Sequence, residues 1–298
     1  MHRSILLFAL SIRLAAADLD TVRQTGFSEV PIRLARGFAP VAPVWVGGAG
    51  PFDFLIDTGT NTVLIDPDLA KRLPSRAQSA MMLDSLNGST RVSAISLPSL
   101  RIGDETISHV EAIIHNLDGV HRLSGRIRGV IGTNVLRQFS FEIDYAKSRL
   151  ALWKAGTQPP PVSGAVVPAV TGDRIVLPFF SAAARNGHWN LALDSGIRQP
   201  LIFREQLQDD VRDDGATLLT TNAAQTPART LHLEEMRVAG VRWSNVAALS
   251  IAGQDSPQNS RQDGLFPACA FSIVRFELAA ERVVVVPRGH ITSSACSP

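Results

Sequence analysis

Two short acidic turns in this sequence have the composition needed for general acid–base chemistry. The first is Asp57-Thr58-Gly59-Thr60 and the second is Asp194-Ser195-Gly196, and each follows an apolar run. Two carboxyl groups held close together cannot both ionise at low cost, so such a pair keeps one proton. The ionised member can deprotonate a water while the protonated member hydrogen-bonds a carbonyl. We therefore expect Asp57 and Asp194 to form one catalytic site that needs no metal or cofactor.

Short side chains accompany both acidic residues. Gly59 and Gly196 lack a Cβ, so backbone N–H groups can approach the carboxylates closely. Thr58 and Ser195 carry hydroxyls that can bond across to the opposite turn. We therefore expect each turn to be braced by the other.

The two turns are not equivalent. Thr60 can donate a hydrogen bond to the outer oxygen of Asp57, whereas Ile197, the third residue after Asp194, has no hydroxyl. A hydrogen bond to a carboxylate favours its ionised form. The sequence therefore predicts an electrostatically unequal pair.

Repetition is what separates these turns from ordinary ones. A single Asp-Thr/Ser-Gly triplet is most often a turn or a helix cap. Here the surrounding features repeat as well, because Val30-Pro31 returns as Val167-Pro168 at the same offset as the acidic turns (168 − 31 and 194 − 57 both give 137). Solenoid repeats are much shorter than this. The pattern predicts an internal duplication with the site between its two copies.

The composition favours a β-rich protein. The 298 residues include 22 Gly and 18 Pro, which separate many short runs of Val, Leu, Ile and Phe. The net charge of +2, from 29 basic and 27 acidic residues, gives no electrostatic basis for a nucleic-acid partner. We expect an all-β fold with short helices, one of them over Asp66–Leu73, where a capping acid precedes a proline.

The chain divides into four predicted segments. Residues 1–17 have the basic start, short apolar core and small residues of a signal peptide, which predicts export to the periplasm or the medium. Residues 156–165 contain three consecutive prolines and form the predicted linker. Residues 18–155 and 166–298 are then the two lobes. No other segment has the roughly 18 continuous apolar residues of a membrane span, so no membrane association is expected after signal removal.

A hairpin is predicted in the first lobe. Asn87-Gly88 lies between the apolar segments Met81–Leu83 and Val92–Ile95, and an Asn-Gly pair is a strong hairpin signal because both turn residues need positive φ. Its place in the chain suits a flap that closes over an extended peptide. The candidate flap residues are Leu86, Asn87, Gly88 and Ser89.

The sequence contains two cysteines, Cys269 and Cys296. In an oxidising compartment they could join the C-terminal tail to the second half. Sequence alone does not show whether their Cα atoms come close enough, so a disulfide and two unpaired thiols are both open.

These motifs resemble those of the pepsin/retropepsin superfamily of aspartic proteases, specifically its bacterial two-lobed retropepsin-like group. Besides the two acidic turns, Val130-Ile131-Gly132 is similar to the family's hydrophobic-hydrophobic-Gly element, and Gly264-Leu265-Phe266 looks like a degraded second copy. The resemblance covers roughly residues 28–288. It implies a bilobal pepsin-like fold of two duplicated β-barrel-like lobes. It also implies cofactor-free hydrolysis of an extended peptide or protein by a monomer.

Other functions stay open at this point. A catalytically weak or inactive relative could bind peptides or a partner protein in the same cleft, an alternative favoured by Pro267 in place of the second glycine and by a flap without tyrosine, since Tyr145 is the one tyrosine. A serine hydrolase lacks its G-x-S-x-G elbow and a metallohydrolase its H-E-x-x-H motif.

Overall fold

The computed structural model describes residues 26–74, 77–85, 88–168, 170–171, 176–177, 179–184, 187–203, 212–220, 225–251, 263–277, 280–288 and 296. The predicted signal peptide, residues 1–17, lies outside this set, and so do Leu86 and Asn87 of the predicted flap. The described chain is mostly β-strand with a few short helices, as the Gly- and Pro-punctuated apolar runs predict.

The first half of the chain supplies eleven of the described strands and three short helices. The strands are β1 (Phe27–Pro31), β2 (Arg33–Ala35), β3 (Ala39–Val46), β4 (Ala49–Ile56), β5 (Val63–Ile65), β6 (Ala77–Ser85), β7 (Gly88–Ile102), β8 (Glu105–Ile114), β9 (Ile127–Ile131), β10 (Phe139–Asp144) and β11 (Arg149–Lys154). The helices are α1 (Pro67–Ala70), α2 (Asp118–His121) and α3 (Thr133–Leu136).

The second half follows after residues 155–164, which form neither helix nor strand. Its described strands are β12 (Ala165–Pro168), β13 (Val170–Thr171), β14 (Val176–Leu177), β15 (Phe179–Ala184), β16 (Gly187–Asp194), β17 (Leu201–Phe203), β18 (Arg212–Thr220), β19 (Gln225–Val238), β20 (Val241–Ile251), β21 (Gly264–Pro267), β22 (Phe271–Glu277) and β23 (Arg282–Pro287). A 3-10 turn, Ala268–Ala270, links β21 to β22.

Each half builds a sheet with the same strand order. The sheet of the first half runs β2-β3-β4-β9-β5-β8-β7-β6, and a further pairing of β3 with β7 folds it back on itself. The sheet of the second half runs β15-β16-β21-β17-β20-β19-β18, with β15 pairing to β19 in the same manner. When the two orders are aligned with β3 opposite β15, each later strand of the first sheet has the same place as a strand of the second sheet.

A third sheet contains strands of both halves, in the order β1-β11-β10-β22-β23-β12. Its centre is the antiparallel pair β10–β22, where Phe141 lies opposite Phe276. Their rings stack with centroids 4.3 Å apart, and both side chains are buried. A packed aromatic pair of this kind contributes roughly 0.5–1.5 kcal/mol beyond the area that it buries. The two halves are thus joined by continuous backbone pairing as well as by apolar packing.

The hairpins show how local sequence sets this framework. Gly47 and Gly48 connect β3 to β4 with φ values of 57° and 86°, a conformation that glycine adopts without steric cost. In the β6–β7 hairpin Ser85 lies opposite Gly88, so Gly88 begins β7 instead of forming the turn. The prediction of a turn was therefore wrong for Gly88, and Asn87 lies outside the described residues.

Helix α1 begins as predicted. The Asp66 side chain accepts a hydrogen bond of 2.7 Å from the Asp68 N–H, and Pro67 occupies the first turn. The helix ends at Ala70, three residues before the predicted end. None of the helices in the described residues is long and apolar enough to cross a membrane.

Candidate active site

Each of the two acidic residues stands at the end of a buried strand. Asp57 follows β4, and its N–H donates to the carbonyl of Ile131 on the parallel strand β9 at 3.0 Å. Asp194 ends β16, and its register partner on the parallel strand β21 is Pro267. Both aspartates are 5% exposed. Apolar residues on parallel strands therefore hold each carboxyl in a site from which water is largely excluded.

Four hydrogen bonds brace the two turns against each other. The Thr58 N–H donates to Ser195 Oγ at 3.0 Å, and the Ser195 N–H donates to Thr58 Oγ1 at 3.0 Å. The hydroxyls then donate onward across the interface, Thr58 to the Leu193 carbonyl at 2.9 Å and Ser195 to the Ile56 carbonyl at 2.7 Å. Because both hydroxyls are fully buried and use donor and acceptor positions together, neither turn can shift without the other.

The carboxyl groups of Asp57 and Asp194 meet at this junction, because each one lies against the glycine of the opposite turn. Each glycine faces the opposite carboxyl group. A Cβ on Gly196 would lie 2.9 Å from Asp57 Oδ1, and a Cβ on Gly59 would clash with Asp194 Oδ2. Glycine is therefore required at both places by close approach.

The hydrogen bonds received by the two aspartates differ. Asp57 accepts from the Gly59 N–H at 2.9 Å and from the Thr60 hydroxyl at 2.7 Å. Asp194 accepts from the Gly196 N–H at 2.6 Å, and Ile197 supplies no hydroxyl. Burial, followed by the charge of Asp57 and the hydrogen bond with it, raises the pKa of Asp194 well above its ordinary value. The hydrogen bonds that the two carboxyl groups receive are therefore unequal, as the sequence predicts.

This difference predicts a pH dependence of stability. Because the folded-state pKa of Asp194 exceeds its unfolded value, its contribution to stability is complete below about pH 4 and is lost as pH rises through the folded pKa. The Asp194→Asn variant has no such loss. We expect the free energy of unfolding of the wild type to fall relative to that of the variant from about pH 4 upward. Urea unfolding between pH 3.5 and 7.5 measures it, and the same curve for Asp118→Asn, an exposed site, should run parallel to the wild type.

Tyr145 lies near the pair, which the sequence did not predict. It directly follows β10, and its N–H donates to the Ser272 carbonyl at 2.8 Å. Burial raises the pKa of Tyr145, and the charges of Asp194 and Asp57 raise it further, while Arg288, 5.7 Å from the ring centroid, acts in the opposite sense. No partner for its hydroxyl occurs among the described residues. Its spacing from the acidic turns carries no signal that could have identified it.

Two hairpins with exposed apolar side chains occupy corresponding places in the two halves. Of the predicted flap, Gly88 and Ser89 belong to β7, and the tip lies outside the described residues. Met81 and Met82 on β6 are 44% and 56% exposed. The second half has a corresponding hairpin, β18–β19, which carries the exposed Leu218. The sequence left this second hairpin undecided.

The cysteines are joined in a disulfide, with Cα atoms 5.5 Å apart. Cys269 belongs to the 3-10 turn after Pro267, and both cysteines are buried. The bond therefore connects the chain end to the segment that supports Asp194.

A protein-family comparison matches part of the first half of the chain. Residues 42–135, which include the Asp57 turn and Val130-Ile131-Gly132, match a family described as Aspartyl protease. A crystal structure of a retropepsin-like aspartic protease from Rickettsia conorii is similar at 21% sequence identity, with a TM-score of 0.32, over 42% of this chain and 90% of that one. No curated protein matches the chain.

Proposed function

We propose that the chain is a retropepsin-like aspartic endopeptidase that uses Asp57 and Asp194 as its general base and general acid, a proposal supported by the aspartyl protease family match over residues 42–135. The observation that carries the proposal is the buried carboxyl pair, with each carboxyl against the glycine of the opposite turn and the two turns bracing each other. A buried pair with one proton is suited to activating a water and a carbonyl together.

The unequal hydrogen bonding assigns the roles. Asp57, which accepts from Gly59 and Thr60, is the ionised base and takes a proton from water as the water oxygen attacks the peptide carbonyl carbon. Asp194 donates its proton to the carbonyl oxygen, giving a neutral tetrahedral diol. Asp57 then returns its proton to the amide nitrogen as the C–N bond breaks, and Asp194 recovers a proton from the diol hydroxyl. Both residues end in their starting states.

The proposal extends to the architecture. The matching strand order of the two large sheets supports a duplicated, two-lobed fold, with lobes at 18–155 and 166–298 and a linker at 156–165. The buried disulfide supports export, because such bonds persist in oxidising compartments. A monomer suffices, because both halves of the site come from one chain.

The substrate in this proposal is an extended peptide or a protein segment. The exposed apolar side chains of Met81, Met82 and Leu218 lie on two hairpins at corresponding places in the two halves. We assign these hairpins, with the flap candidates at the tip of the first, to contact substrate from either side. Apolar side chains that stay exposed in this way are suited to contacting a substrate.

Cleavage profiling tests the proposal. A mixed peptide library is incubated with wild type and with Asp57→Asn between pH 3 and 7, each with and without a hydroxyl-bearing mimic of the tetrahedral diol. We expect peptide-bond cleavage by the wild type alone and its inhibition by the mimic. A wild type that cleaves nothing across this range would contradict the proposal.

One observation favours a second function, peptide binding without cleavage. Pro267 is the register partner of Asp194 on β21. In the first half Gly132 has the corresponding place, because it follows Ile131, the register partner of Ile56. A proline at this place removes an N–H donor and adds a ring. Under this alternative, wild type and Asp57→Asn would bind library peptides equally, and neither would cleave them.

Giving Asp194 a hydroxyl donor is expected to make the pair more nearly equal. In Ile197→Thr a hydroxyl stands at the place that corresponds to Thr60, so we expect the pKa of Asp194 to fall. On the basic side of the pH profile, the fall in activity should then occur at a lower pH. The pH dependence of kcat/KM measures this, with Ile197→Val as the control of equal shape. Profiles that coincide for the two variants would contradict the role given to Thr60.

A further inference from the structure

The disulfide contacts the residue that follows the Asp194-Ser195-Gly196 turn. Cys269 Sγ is 3.6 Å from the carbonyl oxygen of Ile197, the residue that follows Asp194-Ser195-Gly196. A sulfur in a disulfide has no hydrogen to donate, so this is a packing contact. Cys269 is 0% exposed and Cys296 is 1% exposed, so the bond is enclosed by the second half.

The same place in the first half is held by a hydrogen bond. Ile56 pairs with Ile131 and Leu193 pairs with Phe266, so Thr133 corresponds to Ala268 in the strand register. The Thr133 N–H donates to the Thr60 carbonyl at 2.8 Å, which ties the acidic turn to the loop that supports it. Gly132 permits this, because a Cβ there would clash with the carbonyl oxygens of Thr62 and Thr60.

The second half lacks this bond. Ile197 is the counterpart of Thr60, and in the described residues the Ala268 N–H makes no hydrogen bond to its carbonyl. Pro267 replaces the glycine, and its ring needs the space that Gly132 leaves free. The Ile197 carbonyl is met instead by the sulfur of Cys269.

The Asp194 turn thus takes part in fewer hydrogen bonds than the Asp57 turn. It has no hydroxyl like that of Thr60 and no loop hydrogen bond like that of Thr133. The disulfide joins the Ala268–Ala270 turn to Cys296, and its Cys269 sulfur contacts the Ile197 carbonyl.

We propose that the Cys269–Cys296 disulfide is a positioning element for Asp194, replacing the loop hydrogen bond that the first half uses. This inference rests on the proposed function. A dithiol reductant would break the S–S bond, transferring two electrons and two protons to give two cysteine thiols while the reductant becomes a cyclic disulfide. The enzyme in its reduced form then has a displaced Asp194 and a weakened pair, although its fold persists.

The test compares oxidised wild type, wild type reduced with a dithiol, and Cys269→Ala/Cys296→Ala. We expect kcat to fall about tenfold to a hundredfold on loss of the bond, because sub-ångström placement of catalytic groups governs rate, with KM within about twofold. The double variant should be unaffected by dithiol. Circular dichroism and urea unfolding establish that each form is folded.

A second measurement does not depend on cleavage. The side-chain carboxyl of Asp194 is titrated by carbon NMR in the same three forms. Asp57 is the ionisable group that raises the pKa of Asp194, and greater separation from Asp57 should lower the titration midpoint. If no form cleaves any peptide, the proposed function fails, and this midpoint still decides the positioning role.

Val238→Ala is the control for simple destabilisation. Val238 is buried at the hairpin end of β19, paired with Val241, whereas β20 meets the strand after the Asp194 turn at Leu249–Ile251. This variant should lose stability and keep kcat and the Asp194 midpoint. The proposal is overturned if folded, reduced enzyme keeps both values, if Val238→Ala loses kcat to the same extent, or if reduction unfolds the protein.

Discussion

Asp194→Asn is expected to lower kcat/KM for peptide cleavage by about 10³–10⁴-fold while leaving the fold intact. Asparagine has the same shape as the protonated aspartate and can still hydrogen-bond a carbonyl oxygen. It has no acidic proton to transfer, so the tetrahedral diol cannot form with a neutral oxygen. Initial rates on a peptide selected from the library measure the loss, with circular dichroism on the same samples.

Two comparisons make this result specific. Asp57→Asn should lose activity to a similar extent, because the pair acts as one unit and the losses are not additive. Asp118→Asn removes an exposed carboxylate at α2 and should keep full activity. Residual cleavage above about a tenth of wild type in Asp194→Asn would assign proton donation to another group.

Glu142→Gln is expected to destabilise the protein by about 3–5 kcal/mol, the largest stability effect outside the core. Glu142 on β10 lies opposite Arg275 on β22, and both side chains are almost fully buried. Glu142 Oε2 accepts from Arg275 Nε at 2.8 Å and from Nη2 at 2.5 Å. Glutamine would leave the buried guanidinium without its counter-charge. Urea unfolding at pH 7 measures the loss.

The controls use the same network. Glu29→Gln removes an exposed partner of Arg149 and should cost less than about 1 kcal/mol. Replacing both members, Glu142→Met with Arg275→Met, should recover most of the stability lost by Glu142→Gln, because a buried pair gains little over apolar residues of similar size. The double variant also loses the hydrogen bond that Arg275 donates to the Pro160 carbonyl. A Glu142→Gln loss below about 1 kcal/mol would show that water reaches the pair.

The sequence predicted the acidic turns well because they are local and occur twice. Asp57, Thr58, Asp194 and Ser195 each sit within a few residues of a strand end, so the turn chemistry could be read directly. Their meeting was inferred from repetition alone. The inequality of the pair followed from one substitution, Ile197 against Thr60.

What the sequence did not predict depends on long-range register. Glu142 and Arg275 are 133 residues apart, and nothing local pairs them. The contact between Cys269 and Ile197 requires knowing that Pro267 stands opposite Asp194.

The interleaving of β10 with β22 has a consequence for biosynthesis. The central sheet cannot be completed until both of these strands have emerged from the ribosome, and closing so long a loop is slow relative to hairpin formation within each half. A chain that ends before Asp194 has one aspartate without its counterpart, and a chain that ends before β22 lacks the pairing that joins the two halves. The proposed peptidase activity therefore has to wait until β22 has been made and has paired with β10.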